Sequence, residues 1–193
     1  MTTVATAIKN WEVKSGEKAV DAKAVKLYAQ IPPIQKLDNS LNQLVCCEQL
    51  SLSTNSIDRL VSLAGMKKLE ILSVGRNRLS KIEKLDDNRD TLKQIWASYN
   101  FISSLDGLTG LKNLEILYLS NNKISKWEEI SKLNACTKLK DVLLVGNPIY
   151  EGLSEHDRRI KVLQCLKDHP SLSKIDNEII KPSEREAAAS AGA

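Results

Sequence analysis

The segment LEILYLSNNKI (114–124) carries a pattern that four other segments of the chain repeat without gaps. These are CEQLSLSTNSI (47–57), LEILSVGRNRL (69–79), LKQIWASYNFI (92–102) and LKDVLLVGNPI (139–149). Each segment has an apolar residue at its first, fourth, sixth and eleventh positions and an asparagine at its ninth. Intervals of 22, 23, 22 and 25 residues separate the asparagines, which are Asn55, Asn77, Asn100, Asn122 and Asn147.

This pattern is the leucine-rich repeat signature, whose period is roughly 20–29 residues. A single unit cannot bury its apolar side, so neighbouring units stack and share a continuous core. The predicted fold class is therefore α/β: a leucine-rich repeat solenoid, a right-handed β-α superhelix with a parallel β-sheet on one face and helical caps at both ends. A truncated sixth unit is predicted before the five, on the basis of Ile31, Ile34, Asn39 and Leu41.

The domain organisation follows from these units. We predict an N-terminal helical cap over residues 1–30, with helices at 3–14 and 19–29, and about six repeats over 31–150. A C-terminal helical cap is expected over 151–181, opened by a capping box at Ser154, and a flexible tail over 182–193, which has no large apolar side chain. The five asparagines are expected to be structural, each turning its amide inward to bond backbone groups that the bend leaves unpaired.

Composition excludes several classes of function. With 28 basic and 24 acidic residues the net charge is only +4, which argues against a nucleic-acid binder, and no apolar run approaches the ~20 residues of a membrane span. The four cysteines form no CxxC pair and no cluster with histidine, so we expect free thiols, with Cys136 in the core. No catalytic triad, phosphate loop or metal motif is present, and we predict no enzyme, no cofactor and no metal site.

The outward positions of the strands suggest an interaction surface. Positions three, five and seven of each unit should face away from the core, because side chains alternate along a strand. The first unit is polar there, whereas later units place large apolar residues side by side on neighbouring strands, a pattern typical of protein-binding surfaces. The predicted patch is Ile71, Trp96, Ile116, Tyr118, Leu143 and Val145, with Arg76 and Tyr99 at its rim.

Two further interpretations remain open at this stage. The terminal helix or tail could fold over the patch, in which case no partner would be needed. A basic stripe, Arg59, Lys81 and Lys126, should align along one edge of the stacked units and could meet an acidic surface or be merely a solvated face. It lacks the aromatic residues that stack on single-stranded nucleic acid.

Segments outside the repeat consensus resemble the leucine-rich repeat light chains of axonemal outer-arm dynein. The resemblance covers about residues 5–181 and is carried by KLYAQIPPIQKLDNSL (26–41), SYNFI (98–102) and LYLSNNKI (117–124). It implies a non-catalytic subunit of a larger complex, itself a monomer, located in the cytoplasm and cytoskeleton of the ciliary or flagellar axoneme. Its implied partners are a dynein heavy chain, bound at the microtubule-binding tip of the stalk through the apolar sheet face, and tubulin, for which the basic edge is a candidate contact.

Two other kinds of repeat protein are compatible with the residues. An adaptor of the protein phosphatase-1 regulatory-subunit type is also built from 22-residue units and would bind a phosphatase through its concave face. A nuclear ribonucleoprotein component should carry more positive charge than this chain does.

Overall fold

The structure, a computed structural model, describes residues 1–167 and 169–190. Within these residues, strands in chain order form a single eight-stranded sheet, parallel except for the antiparallel last pair. The strands are β1 (Ala24–Lys26), β2 (Gln49–Ser51), β3 (Ile71–Ser73), β4 (Gln94–Trp96), β5 (Ile116–Tyr118), β6 (Asp141–Leu143), β7 (Lys174–Ile175) and β8 (Glu178–Ile179). This is the α/β leucine-rich repeat solenoid predicted from the pattern.

The register of the sheet stacks equivalent positions of each unit directly on one another. Leu50, Leu72, Ile95, Leu117 and Val142 pair in sequence across β2 to β6, and every one of them is buried. The sixth-position residues behind them are buried as well, so the core runs as an unbroken column through the molecule. Each Å² of apolar surface that is removed from water contributes about 25 cal/mol, so this column is the main source of stability.

The convex side consists of short turns and helices, in keeping with its apolar residues at intervals of three. The 3₁₀ turns Asp86–Asn88 and Asp106–Leu108 occupy two units, while the longest unit holds α2 (Trp127–Ser131) followed by a 3₁₀ helix over Lys132–Ala135. The segment from the strand to the asparagine keeps one length in all five units. The unequal spacing of the asparagines is therefore taken up on the convex side.

The asparagines form a hydrogen-bonded ladder between units. Asn100 Nδ2 donates to the Ala97 carbonyl of its own unit and the Val74 carbonyl of the preceding one, both at 3.0 Å. Its Oδ1 accepts from the Leu79 backbone N–H at 3.0 Å. Asn55, Asn77 and Asn122 bond in the same three ways, and Asn147 does so with Leu119, Leu144 and Ile124.

The N-terminal cap differs from the prediction in its second half. The first predicted helix is present as α1 (Val4–Ser15), capped by the Thr3 side chain, but the helix predicted over 19–29 is wrong. Val25 and Leu27 are buried in alternation, and β1 pairs with β2 as a further repeat strand. The unit before the five repeats therefore begins earlier in the chain than the predicted truncated unit. Ile31, one of the residues on which that prediction rests, is 96% exposed and does not belong to the core.

The C-terminal cap begins as predicted and then continues further. Ser154 caps α3 (Glu155–Cys165), and the β7–β8 hairpin extends the sheet. The tail over 182–193 is predicted to be a frayed helix or coil without strong docking, and this is wrong for its first nine residues, because they form α4 (Pro182–Ser190), which packs on α3. Glu184 of α4 is buried and bonds Arg159 of α3 through two contacts of 2.5 and 3.0 Å. Residues 191–193 lie outside the described residues.

Gly107 sits where one convex turn approaches the backbone of the preceding unit. A Cβ at this position would lie 1.9 Å from the Ile82 carbonyl oxygen. We expect Gly107→Ala to lower the free energy of unfolding by about 2 kcal/mol, because the backbone must shift to relieve the overlap. Urea unfolding measures the change. Gly110→Ala in the same turn is the matched control, since nothing lies within 4 Å of its Cβ position; equal losses in the two variants would contradict the steric explanation.

Candidate functional site

The predicted patch lies on the outer face of the sheet, opposite the core. In the strand register Trp96 stands next to Tyr118, and Tyr118 next to Leu143, while Ile71 and Ile116 belong to the neighbouring row. These five side chains are half-buried, and Val145 is 42% exposed. The structure thus brings the six residues onto one face of four consecutive strands, β3 to β6. Their role in binding stays a prediction.

Trp96 and Tyr118 form the centre of the face. Their rings stack with centroids 6.4 Å apart and an interplanar angle of 18°. The Tyr118 hydroxyl donates to Asp141 Oδ2 at 3.1 Å, and burial together with this carboxylate raises the pKa of Tyr118. The Trp96 indole Nε1 has no hydrogen-bond partner within the described residues. Two large, rigid aromatic groups held in this way are suited to anchor a partner.

Arg76 and Tyr99 lie at the rim, where the strands end. The Arg76 guanidinium stacks over the Tyr99 ring, 4.3 Å from its centroid. Both residues have a left-handed backbone, with φ of 54° and 60°. Both residues are at the eighth position of their units, and simple alternation along the strand would point this position, like the fourth and sixth, toward the core. The left-handed backbone interrupts the alternation, so the side chain turns outward instead. Both side chains are therefore exposed beside the patch.

The basic edge is less uniform than its sequence suggests. Arg59 and Lys126 are exposed, with no ion pair among the residues that the structure describes. Lys81 instead lies 2.9 Å from the Glu83 carboxylate, which offsets its charge. The stripe therefore presents two unpaired cations, one at each end.

The outer surface also contains exposed residues that the repeat pattern does not predict. Phe101, the only phenylalanine, is 53% exposed beside Tyr99, two positions after it in the same turn. Lys26, the last residue of β1, and Tyr28, two residues after it, are exposed in a region where the sequence predicts a helix. The alternation of buried Val25 and Leu27 with these two residues is the signal that identifies the strand.

The described residues offer little support for chemistry of other kinds. In residues 1–167 and 169–190 no group of three or more His, Cys, Asp or Glu side chains is arranged to hold a metal. No helix in the same ranges has both the length and the apolar character needed to cross a bilayer. Cys136 is fully buried, and burial raises the pKa of its thiol to about 11, so the thiol stays protonated at neutral pH.

Comparisons with known proteins agree with this architecture. The family model "Leucine Rich repeats (2 copies)" matches residues 90–132. The crystal structure of the Drosophila melanogaster SNF/U2A' complex contains a chain with the same fold, at a TM-score of 0.66 and 22% identity, covering 81% of this chain and 92% of that one. At this level of identity the likeness concerns the fold alone.

Two curated relatives are similar over nearly their whole length. Dynein axonemal light chain 1 of Danio rerio is 54% identical over 184 residues, 95% of each chain. The protein of the same name from Chlamydomonas reinhardtii is 50% identical over 188 residues, 97% of this chain and 95% of its own. Together with the repeat fold and the unbroken register, these identities show that the chain belongs to the dynein axonemal light chain 1 family.

Proposed function

We propose that the chain is a non-catalytic light chain of axonemal outer-arm dynein that binds a dynein heavy chain through the apolar face of its sheet. The heavy-chain site is the microtubule-binding tip of the stalk, and the role is to regulate ciliary or flagellar beating. The cilium or flagellum is the expected location of a member of this family. The conclusion rests on family membership for the complex and on the face described above for the contact.

The single observation that carries the contact is the position of Trp96 and Tyr118. These rings lie half-buried on the outer face of β4 and β5, so part of each ring stays accessible to a partner. Apolar side chains of β3 and β6 continue the patch on both sides. A contiguous apolar patch on an outer face is typical of a protein-binding surface, and Trp and Tyr are the side chains that most often dominate binding energy.

A bound light chain can regulate the motor only if it contacts the different states of the heavy chain unequally. The heavy-chain tip alternates between strong and weak microtubule binding, and a subunit that contacts the two states equally shifts neither. We include in the proposal a contact between the basic edge, Arg59, Lys81 and Lys126, and the acidic surface of tubulin. Such a contact should weaken as salt is raised, because exposed charges are screened.

The heavy-chain contact is tested by Trp96→Ala combined with Tyr118→Ala. We expect the double variant to bind the heavy-chain stalk tip about 1,000-fold more weakly, because truncating each central anchor costs at least ~2 kcal/mol in typical interfaces and ~1.4 kcal/mol is tenfold in affinity. Titration of the purified stalk tip with wild-type and variant light chains measures the change.

Val13→Ala combined with Val45→Ala is the matched control. Both valines are exposed and apolar but lie off the sheet face, so their truncation should leave the affinity unchanged. Circular dichroism verifies that each variant is folded. Wild-type affinity in a folded Trp96/Tyr118 variant would refute the proposed contact.

A further inference from the structure

A second feature of the outer face lies at the opposite end from the apolar patch, between α1 and β1. A cavity of about 430 Å³ opens here. Its walls include Trp11 and Lys14 of α1, Lys26 at the end of β1, and Tyr28 two residues after β1. Lys14, Lys26 and Tyr28 are exposed and Trp11 is half-buried. Its charged lining residues are both lysines, with aromatic rings beside them.

These two lysines differ from the other lysines along the sheet. At the edge where the strands begin, three lysines each pair with a glutamate: Lys23 with Glu48 at 3.1 Å, Lys93 with Glu70 at 2.8 Å, and Lys140 with Glu115 at 2.8 Å.

Lys14 and Lys26, by contrast, have no ion pair within the described part of the chain. Glu17 and Asp21 line an adjoining cavity, whose walls also include Trp11 and Lys26, but neither acid forms an ion pair with Lys14 or Lys26. Both ammonium groups therefore remain available to pair with an acidic group of a partner.

The cavity and the apolar patch lie along the same row of the sheet. Lys26 is in the same row of the sheet as Trp96, because the register joins Lys26 to Ser51, Ser51 to Ser73, and Ser73 to Trp96. Along this row the face changes from basic to small and polar, and then to aromatic. One partner element lying across the strands would meet all three zones in order.

We propose that the cavity between α1 and β1 binds an acidic side chain of the same heavy-chain helix that packs on Trp96 and Tyr118. This inference rests on the proposed function and adds the chemistry and the direction of the partner segment. A helix suits this face, because the strands at its centre are already bonded on both sides and a helix satisfies its own backbone groups.

The spacing of the strands fixes where the acidic residue should lie. Lys26 is three strands from Trp96 and four from Tyr118, which is about 14 to 19 Å at ~4.8 Å per strand. A helix rises ~1.5 Å per residue, so its carboxylate should be about 9 to 13 residues from its apolar anchors.

Charge reversal tests the electrostatic part. Lys14→Glu combined with Lys26→Glu should weaken binding of the purified stalk tip about tenfold at low salt and by less at high salt. Lys9→Glu combined with Lys36→Glu makes the same change in net charge at two exposed lysines that do not line the cavity, and should bind like wild type.

The outcomes separate this inference from the proposed function. If the Trp96/Tyr118 variant loses binding while the Lys14/Lys26 variant retains it, the cavity inference falls and the proposed contact stands. If neither variant loses binding, both fall. Binding of a single-stranded oligonucleotide that the Lys14/Lys26 change abolishes would also overturn the inference.

Cross-linking tests the direction. A carbodiimide should join Lys26 to an Asp or Glu of the stalk tip, and Ser98→p-benzoylphenylalanine, two residues beyond Trp96, should label a second point on the same helix. We expect about 9 to 13 residues between the two labelled points. Labels on separate helices, or the absence of a Lys26 cross-link in a complex that forms normally, would overturn the inference.

Discussion

Replacing Asn100 by alanine is expected to lower the free energy of unfolding by about 3 kcal/mol, a large part of the stability of a domain of this size. Asn100 is buried and joins two units through three hydrogen bonds. Without it the Leu79 N–H has no partner, whereas the Val74 and Ala97 carbonyls keep a bond from Asn77 and Asn122. An orphaned buried N–H costs about 1–3 kcal/mol, and the lost bonds and the space left by the amide add to this.

Urea unfolding of wild type and variant measures the difference. Asn113→Ala is the matched control, because Asn113 makes a single, exposed hydrogen bond to the Asp90 carbonyl and should cost less than about 1 kcal/mol. An Asn100 variant no less stable than the Asn113 variant would show that the ladder contributes little to stability.

Replacing Arg159 by methionine is expected to cost about 3–5 kcal/mol, the largest effect of any substitution considered. The change leaves the buried Glu184 carboxylate without its cation. It also removes the donors to the Ile175 and Ile179 carbonyls, at 2.6 and 3.1 Å. Because the ion pair joins α3 to α4, trypsin should cleave the variant after Arg185 much faster than wild type.

The double variant Arg159→Met with Glu184→Met separates charge from packing. It should be more stable than the single variant, because no unpaired charge stays buried. A single variant that unfolds within about 1 kcal/mol of wild type would contradict a structural role for the pair.

Acid titration gives an independent measurement of the same pair. Arg159 holds the pKa of Glu184 at about 2, below its ordinary value of 4.5. The stabilisation is therefore fully present above pH 4.5 and is lost as the pH falls through 2. The Arg159 variant should lose less stability than wild type over this range.

The repeats and the outer face could be predicted because both depend on local pattern. The position of each asparagine fixes the register of its strand, and the alternation of side chains then decides which residues face outward, Trp96 and Tyr118 among them. No long-range information is needed, because each unit packs only on its neighbours.

The two ends could not be predicted in the same way. In the unit that holds β1, Gln30 stands at the asparagine position and Pro32-Pro33 lengthens the turn, so the consensus fails and the alanines favour a helix. Docking of α4 depends on Glu184 and Arg159, which are 25 residues apart in the chain. The composition of an alanine-rich segment does not reveal a buried ion pair. Judged by composition, the segment therefore lacks the apolar side chains needed to dock.

Because the length between strand and asparagine is constant, the convex side and the sheet side of the molecule can evolve independently. Residues gained in the convex connections, as in the 25-residue interval before Asn147, lengthen a turn and leave the spacing of the opposite face intact. The convex side can therefore diverge in length while the recognition surface keeps its dimensions. For protein engineering, the exposed Arg89–Asp90 turn is accordingly a suitable place to graft a reporter peptide.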